Sequence, residues 1–261
     1  MFPDLTRHPD YLKPQSLAWC NQLAARTGKY EFPWRSVYEG PTDEEVLTDK
    51  LISAARGRVL DVGCAHGGYT SRWASQAEEV VGYDMTEGFL ATADRNRPPN
   101  VRYVLGNTHD GLPFPNDTFD MAYTKKGPTS WYKEGNRVVR PGGAIVLFHP
   151  GDGNGEGGEL GIVFPGLFAP PAAGTPILDQ IRERLADSGL TDIRLTTLRE
   201  TAWLPSPEDV FEIACFGQSD EFRAYAREQC YGRIVKQFEK HAGDKGLRTT
   251  GFHYLIEAKE R

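Results

Sequence analysis

This 261-residue sequence has few cysteines, no long apolar run and no excess of positive charge. Its four cysteines are scattered without a Cys-x-x-Cys pair, so we expect reduced thiols rather than a zinc site or a disulfide framework. No apolar run approaches the length of a membrane span, and residues 1–4 lack the basic start of a signal peptide. These absences predict a cytoplasmic protein that does not enter a membrane.

The charge balance argues against nucleic acid as a partner. The chain has 36 acidic and 30 basic residues, a net charge of -6, and no nucleic-acid recognition module. Hydrophobic residues make up 39% of the sequence and charged residues 25%, as in ordinary globular proteins. The length suffices for one domain with insertions, and we expect a small molecule as the partner.

Strand and helix patterns alternate through the middle of the chain. Strands are predicted over residues 58–62, 80–84, 101–106, 119–123 and 144–149, with helical patterns between them, one of them over residues 69–77. Such alternation favours an α/β fold, a doubly wound parallel sheet with helices on both faces.

Further elements are predicted on either side of this region. A helix should end at Gly28, and Thr42 with Glu45 should form a capping box for a second helix. A later helix should turn Ile177, Ile181 and Leu185 inward. Two more strands are expected over residues 193–198 and 252–256, separated by about forty extra residues with helices capped by Ser206 and Ser219.

The most informative segment covers residues 59–68, where a strand leads into a glycine-rich turn. Gly63, Ala65 and Gly68 nearly match the G-x-G-x-x-G pattern of dinucleotide enzymes, and Asp84 stands at the end of the next strand. Asp61 differs, because dinucleotide loops usually carry an apolar residue there. A carboxylate at that position is costly without a partner, such as a cationic amine of a ligand or well-placed N–H groups.

Five ordered motifs between about residues 51 and 148 resemble a known family. The sequence is similar to class I S-adenosylmethionine-dependent methyltransferases of the type 11 group. The matching stretches are VLDVGC at residues 59–64, VVGYD at 80–84, GNT at 106–108, LPFPNDTFD at 112–120 and RVVRPGG at 137–143.

The resemblance implies a Rossmann-like sheet of seven strands, six parallel and the last antiparallel. It also implies a lid segment over residues 1–45, a cofactor-binding core over 46–204, a helical cap insert over 205–245 and a last core strand over 246–261. An aromatic stretch with one arginine, residues 30–35, would belong to the lid in this family, although core packing of its rings is the default interpretation.

The family pattern also places the cofactor, S-adenosyl-L-methionine. The loop residues Asp61, Gly63, Ala65 and Gly67 would lie under its amino acid half. The remaining implied contacts are Asp84 and Met85 at the ribose and Asn107 and Thr108 at the adenine. Asn107 could instead be only a turn residue, and Ala65 should be tolerated if its φ is negative.

Candidate catalytic residues follow from where the strands end, because ligands of such sheets bind at the carboxyl ends of the strands. His66 follows the first predicted strand, His109 the third and Lys125 the fourth, whereas His149 ends the fifth and is the preferred candidate for substrate contact. A histidine could act as a base towards a hydroxyl or carbon acceptor, and Lys125 or Lys126 could hold a carboxylate or phosphate. Structural or solvent-exposed roles remain open for each.

No metal site is expected. The glycine-rich stretch from Asp152 to Gly157 resembles the start of a calcium loop, but Val163 stands where the twelfth-position glutamate is required. The sequence therefore predicts methyl transfer to a small-molecule acceptor and leaves a homodimer open. The alternatives are an NAD-type oxidoreductase and a cofactor-binding protein without catalysis.

Overall fold

The computed structural model describes residues 2–260 and contains one mixed sheet in the order β1-β7-β8-β6-β5-β2-β3-β4. Strands β2 to β6 pair in parallel, whereas β8 runs antiparallel to β6 and β1 antiparallel to β7. The strands are β1 (Val37–Tyr38), β2 (Arg58–Val62), β3 (Glu79–Asp84), β4 (Val101–Leu105), β5 (Phe119–Lys125), β6 (Val139–Pro150), β7 (Thr191–Leu204) and β8 (Leu247–Lys259).

The α/β class is confirmed, but the count of seven strands is wrong by one. The additional strand, β1, has two exposed residues and pairs with Ala202 and Trp203 of β7. Two residues are too short to give a hydrophobic period, so the sequence carried no signal for it. The last strand is antiparallel to its neighbour β6, as expected.

Eight α-helices are present among the described residues. They are α1 (Leu17–Thr27), α2 (Asp43–Ala54), α3 (Glu87–Asp94), α4 (Tyr132–Val138), α5 (Glu159–Val163), α6 (Pro176–Ala186), α7 (Pro207–Ala214) and α8 (Asp220–His241). The caps predicted at Ser206 and Ser219 are confirmed, because both side chains accept a hydrogen bond from a backbone N–H of the first turn.

The helix predicted over residues 69–77 is wrong. The segment contains only a 3₁₀ helix, Thr70–Trp73. The Asn100 side-chain amide donates to the carbonyls of Ala74 and Ala77, at 2.8 and 3.1 Å. Asn100 is the residue before β4, and its side chain already satisfies the carbonyls of Ala74 and Ala77. A continuing helix would need the same carbonyls for its own hydrogen bonds.

The residue contacts divide the chain into two compact units. The sheet unit comprises Asp43–Gly151, Pro176–Leu198 and His253–Arg261. The helical unit comprises Met1–Thr42, Asp152–Thr175 and Arg199–Phe252. Strands β7 and β8 each contribute residues to both units.

The sheet unit buries side chains on both faces of its strands. Leu60 and Val62 of β2 belong to one buried cluster, and Val59, whose side chain points to the opposite face, belongs to another. Helix α6 adds Leu178, Ile181 and Leu185 to the first cluster. Ile177 was expected inward but is 40% exposed, because the buried stripe begins one residue later.

The helical unit has its own core. Helix α8 buries Phe222, Ala226, Cys230, Ile234 and Phe238, the face that its 3.6-residue period predicts. These side chains pack in a cluster with Val210 and Phe211 of α7 and Phe164 at the end of α5.

Candidate functional site

A tight turn carries the chain from β2 past the end of β3. Gly63 and Gly67 have φ values of +84° and +72°, in the region that favours glycine. The backbone N–H groups of Gly63 and Cys64 both donate to the Tyr83 carbonyl, at 2.8 and 3.2 Å. Ala65 has a φ of +48°, so the expectation of a negative φ there is wrong, and a methyl group is tolerated in a left-handed conformation.

Gly67 is also required by its surroundings. A Cβ at this position would overlap the Tyr103 hydroxyl and lie 2.9 Å from Cβ of Ala93. The Tyr103 hydroxyl is 3.1 Å from Oγ of Ser71 and donates to the Gly67 carbonyl at 3.4 Å. Tyr103, on β4, therefore holds the turn against the sheet.

Asp61 is buried at the centre of this region, with 2% of its surface exposed. Its Oδ2 accepts two hydrogen bonds, both at 2.7 Å, from the hydroxyls of Thr70 and Tyr123. Burial raises the pKa of Asp61 to about 6, although these hydrogen bonds and the charge of Lys125 oppose the shift. Oδ1 of this carboxylate accepts no hydrogen bond from the described residues. Asp61 is therefore a desolvated carboxyl group whose Oδ1 can still accept a hydrogen bond from a ligand.

Asp84 ends β3 beside the same turn. Its Oδ2 accepts from the Ala65 N–H at 2.9 Å, and its Oδ1 from the Thr86 N–H at 2.8 Å. Burial raises the pKa of Asp84, whereas hydrogen bonds from backbone N–H groups, including that of Met85, lower it by a smaller amount. Each carboxylate oxygen has two lone pairs, so Asp84 retains acceptor capacity for hydroxyl donors. Thr86 stands at the N-cap of α3, but its side chain makes no cap bond.

Asn107 and Thr108 follow β4 and continue the site along the sheet edge. The side-chain Oδ1 of Asn107 accepts from the His109 N–H at 3.0 Å, so Asn107 is indeed a turn residue, capping the short 3₁₀ helix Thr108–Asp110. Its amide nitrogen keeps two donors that this bond does not use. The Thr108 hydroxyl lies 2.6 Å from the Ser130 hydroxyl, which links the exits of β4 and β5.

His149 is buried near the end of β6, with 3% exposed. Its Nε2 is hydrogen-bonded to the Tyr132 hydroxyl at 2.6 Å. Burial lowers the pKa of His149 to about 4, so the imidazole is neutral near pH 7.

Lys125 and Lys126 lie at the end of β5 and share one carboxylate. Lys125 Nζ is 2.7 Å from Oε1 of Glu44, and Lys126 Nζ is 3.8 Å from Oε2 of the same residue. Burial acts to raise the pKa of Glu44, but the hydrogen bond and charge of Lys125 and the charge of Lys126 bring it below its ordinary value. His149 and Lys125 therefore contact different partners, Tyr132 and Glu44.

The remaining candidate histidines differ in exposure. His66 lies within the glycine-rich turn and is half-buried, and its Nε2 is 3.0 Å from where a Cβ of Gly68 would stand. His109 is exposed. The aromatic stretch of the expected lid packs within the helical unit, where Phe32 stacks on Trp34 at 4.5 Å and both rings contact Phe216 edge-on.

Sequence reasoning missed a buried pair formed by Asp43 and His253. Nδ1 of His253 lies 2.8 Å from Oδ2 of Asp43, and the imidazole stacks on Phe148. Burial and then the charge of Lys126 lower the pKa of His253 to about 3, so its neutral Nδ1–H donates to the carboxylate. The two residues are 210 positions apart, and no local pattern could have joined them. Glu44 and Tyr123 were missed for the same reason.

No helix within residues 2–260 combines the length and the apolar character that crossing a bilayer requires.

The glycine-rich turn, Asp61 and Asp84 lie within a segment that is similar to known proteins. Residues 59–143 match the model of a methyltransferase domain. A malonyl-[acyl-carrier protein] O-methyltransferase from Erwinia pyrifoliae is 29% identical over 110 residues, covering 38% of this chain and 41% of that protein. The chain spans less than half the length of the curated relatives that it matches.

Solved structures share the fold. A functionally unknown protein from Deinococcus radiodurans has a TM-score of 0.64 at 23% identity, over 92% of this chain and 98% of that one. The geranyl diphosphate C-methyltransferase from Streptomyces coelicolor, solved with Mg²⁺, geranyl diphosphate and S-adenosyl-L-homocysteine, has a TM-score of 0.53 at 14% identity, over 96% and 100% of the chains. At these identities the likeness concerns the fold alone.

Proposed function

We propose that this chain is a class I S-adenosylmethionine-dependent methyltransferase that transfers a methyl group from S-adenosyl-L-methionine to a small-molecule acceptor, because residues 59–143 match a methyltransferase domain. The match covers residues 59–143, which contain β2 to β5 and the start of β6 together with the glycine-rich turn.

One observation carries the proposal: two buried or half-buried carboxylates, Asp61 and Asp84, stand on adjacent parallel strands and are joined by the glycine-rich turn. Asp61 is desolvated and has Oδ1 available, which suits the ammonium group of a methionine-like ligand. Asp84 holds the turn through Ala65 and can accept from ribose hydroxyls. Gly63 and Gly67 let the backbone approach a ligand closely.

The cofactor supplies an activated methyl group on a sulfonium, and the protein has to align the acceptor and exclude water. Asn107 and Thr108 would lie by the adenine, and Met85 by the ribose. His149, Lys125 and His66 remain the proposed candidates for acceptor contact. Lys125 is favoured over His149, because the latter is almost fully buried and already bonded to Tyr132.

Titration calorimetry with S-adenosyl-L-homocysteine and with NADH tests the cofactor assignment. We expect the first to bind and the second not to bind. Asp84→Asn should weaken the binding of S-adenosyl-L-homocysteine by about tenfold or more, since a buried acceptor of two hydroxyls is lost.

Asp120→Asn is the matched control. Asp120 lies near the start of β5, whereas the glycine-rich turn follows the carboxyl end of β2. There Asp120 accepts from the Arg58 N–H at 2.6 Å and pairs with Arg140. Its replacement should leave the affinity unchanged. NADH binding in preference to S-adenosyl-L-homocysteine would overturn the proposal.

A further inference from the structure

The backbone at the end of β5 is unusual. Lys126 has a φ of +58°, in the left-handed region that a residue with a Cβ seldom adopts. Such conformations are strained and cluster at functional sites. The protein retains this one directly after a parallel strand, at the sheet edge where ligands of this architecture bind.

The left-handed residue brings two cations to the same place. Successive side chains of a strand point to opposite faces, so Lys125 and Lys126 would diverge if β5 continued. Instead both ammonium groups reach one carboxylate, with Lys125 Nζ 2.7 Å from Oε1 and Lys126 Nζ 3.8 Å from Oε2 of Glu44. The two oxygens of a single anion therefore bridge two lysines.

Other charges around Glu44 make the cluster cationic on this side. Arg72 also acts on the Glu44 carboxylate, and it lies over the Tyr69 ring at 5.1 Å. Lys125 lies over the same ring at 4.3 Å. Lys125 and Lys126 thus pair with one carboxylate, and the charge of Arg72 also lowers the pKa of that carboxyl group. The side chains of Lys125, Lys126 and Glu44 keep 26%, 28% and 38% of their surface exposed, so solvent and small molecules reach them.

The cluster lies next to the glycine-rich turn. A Cβ on Gly63 would be 2.8 Å from Cδ of Pro128 and 3.1 Å from Cα of Gly127, so the segment after Lys126 packs directly on the first glycine of the turn. Lys125 also influences the Asp61 carboxyl electrostatically. A group held by the two lysines would therefore stand beside the region assigned to the cofactor.

We infer that Lys125 and Lys126 form the binding site for an oxyanion of the methyl acceptor, a carboxylate or a phosphate, and that Glu44 occupies this site when no acceptor is bound. The inference rests on the proposed function, because it takes the acceptor to bind beside the cofactor. Glu44 then acts as an internal competitor, which the acceptor's anion displaces from the lysines.

The test measures anion binding to the protein saturated with S-adenosyl-L-homocysteine. Inorganic phosphate and succinate are titrated separately while the amide chemical shifts of residues 125–127 are followed. Glu44→Gln should bind the preferred anion about fivefold or more tightly than the unmodified protein, because the competing charge is gone. Lys125→Met with Lys126→Met should weaken it by about tenfold or more. Preference for phosphate or for succinate identifies the acceptor's anionic group.

Lys133→Met is the control, since Lys133 is exposed on α4. It should leave anion binding unchanged. Absence of anion binding in both the unmodified protein and Glu44→Gln overturns the inference, as does equal binding by the double lysine variant. A large loss of S-adenosyl-L-homocysteine affinity in Lys125→Met would also overturn it, because the lysine would then serve the cofactor.

Two features keep the outcomes separable. Glu44→Gln retains both lysines, so its anion affinity tests the inference even if the double lysine variant does not fold. If S-adenosyl-L-homocysteine does not bind the unmodified protein, the proposed function fails, and the same titrations without it still report whether the lysines hold an anion.

Discussion

At the scale of single residues, Asp61 shows a conflict between stability and binding. Its carboxyl group is almost fully buried, and its pKa is raised from 3.8 to about 6. A raised carboxyl pKa gives a contribution to stability that is complete below pH 3.8 and is lost as pH rises through about 6. Near pH 8 the ionised group therefore costs the ligand-free protein about 3 kcal/mol.

Asp61→Asn should relieve that cost and impair binding. Both hydrogen bonds of Asp61 converge on Oδ2, so the carbonyl oxygen of an asparagine can accept them from Thr70 and Tyr123. We expect the unfolding midpoint near pH 8 to rise by roughly 5 °C. The affinity for S-adenosyl-L-methionine should fall by about tenfold or more, because an amide N–H₂ would face the ligand's ammonium group.

Differential scanning calorimetry near pH 8 and near pH 5, with titration of the ligand, measures both effects. The gain in midpoint should shrink at the lower pH, where Asp61 is mostly protonated. A variant that is less stable than the unmodified protein near pH 8 would contradict the energetic account of Asp61.

At the scale of elements, Gly67 in the glycine-rich turn and Gly142 in β6 allow the cost of backbone strain to be distinguished from the cost of steric overlap. Gly67 and Gly142 have nearly the same φ, +72° and +75°, but only at Gly67 would a Cβ meet other atoms, those of Tyr103 and Ala93. Gly142→Ala should cost about 1–2 kcal/mol from backbone strain. Gly67→Ala should cost a further 1–3 kcal/mol or so, because Tyr103 has to move.

Denaturant unfolding of the two variants gives the difference directly. Binding of S-adenosyl-L-homocysteine should weaken for Gly67→Ala and remain unchanged for Gly142→Ala. Equal losses of unfolding free energy would show that Tyr103 does not constrain the turn.

The elements also show what the sequence could and could not predict. Strands β2 to β5 lie within a few residues of the predicted bounds, because each is rich in valine or aromatic residues and is closed by glycine or charged residues. The 3₁₀ helix at Thr70–Trp73 was missed because a distant side chain, Asn100, satisfies the carbonyls there. Local patterns contain no information about such a partner.

The candidate site divides in the same way. Asp61 and the glycines form a local motif that is continuous in the sequence, and Asp84 ends the next predicted strand, so their neighbouring positions follow from the sequence pattern. The partners that decide their chemistry, such as Tyr123 for Asp61 and Glu44 for Lys125, lie 62 and 81 positions away. Their roles became visible only once the sheet had brought these segments together.

At the scale of the whole molecule, buried neutral histidines set the response to acid. The pKa of His149 is lowered to about 4 and that of His253 to about 3, from 6.5. A lowered histidine pKa gives stability that is fully present above pH 6.5 and is lost as pH falls through the folded-state value. His149 alone accounts for about 3 kcal/mol of loss by about pH 4, partly offset by Asp61.

His149→Gln should reduce this acid sensitivity, because a glutamine does not titrate and can still bond to the Tyr132 hydroxyl. We expect the unfolding free energy of the variant to fall less between about pH 7 and pH 4.5 than that of the unmodified protein. Denaturant titrations across that range measure it. His241→Gln, at an exposed position on α8, should follow the unmodified protein, and identical acid profiles for all three would contradict the role given to His149.

All four cysteines lie within residues 2–260, are buried and form no disulfide, and burial raises the pKa of the thiols at Cys64, Cys215 and Cys230. Thiolate is the form that alkylating reagents attack, so the folded protein has almost no reactive sulfur of its own. A single cysteine introduced on the surface would therefore take up a fluorophore or spin label selectively, without prior removal of the native ones. Distance measurements between two such labels could then report how the chain rearranges when an acceptor binds.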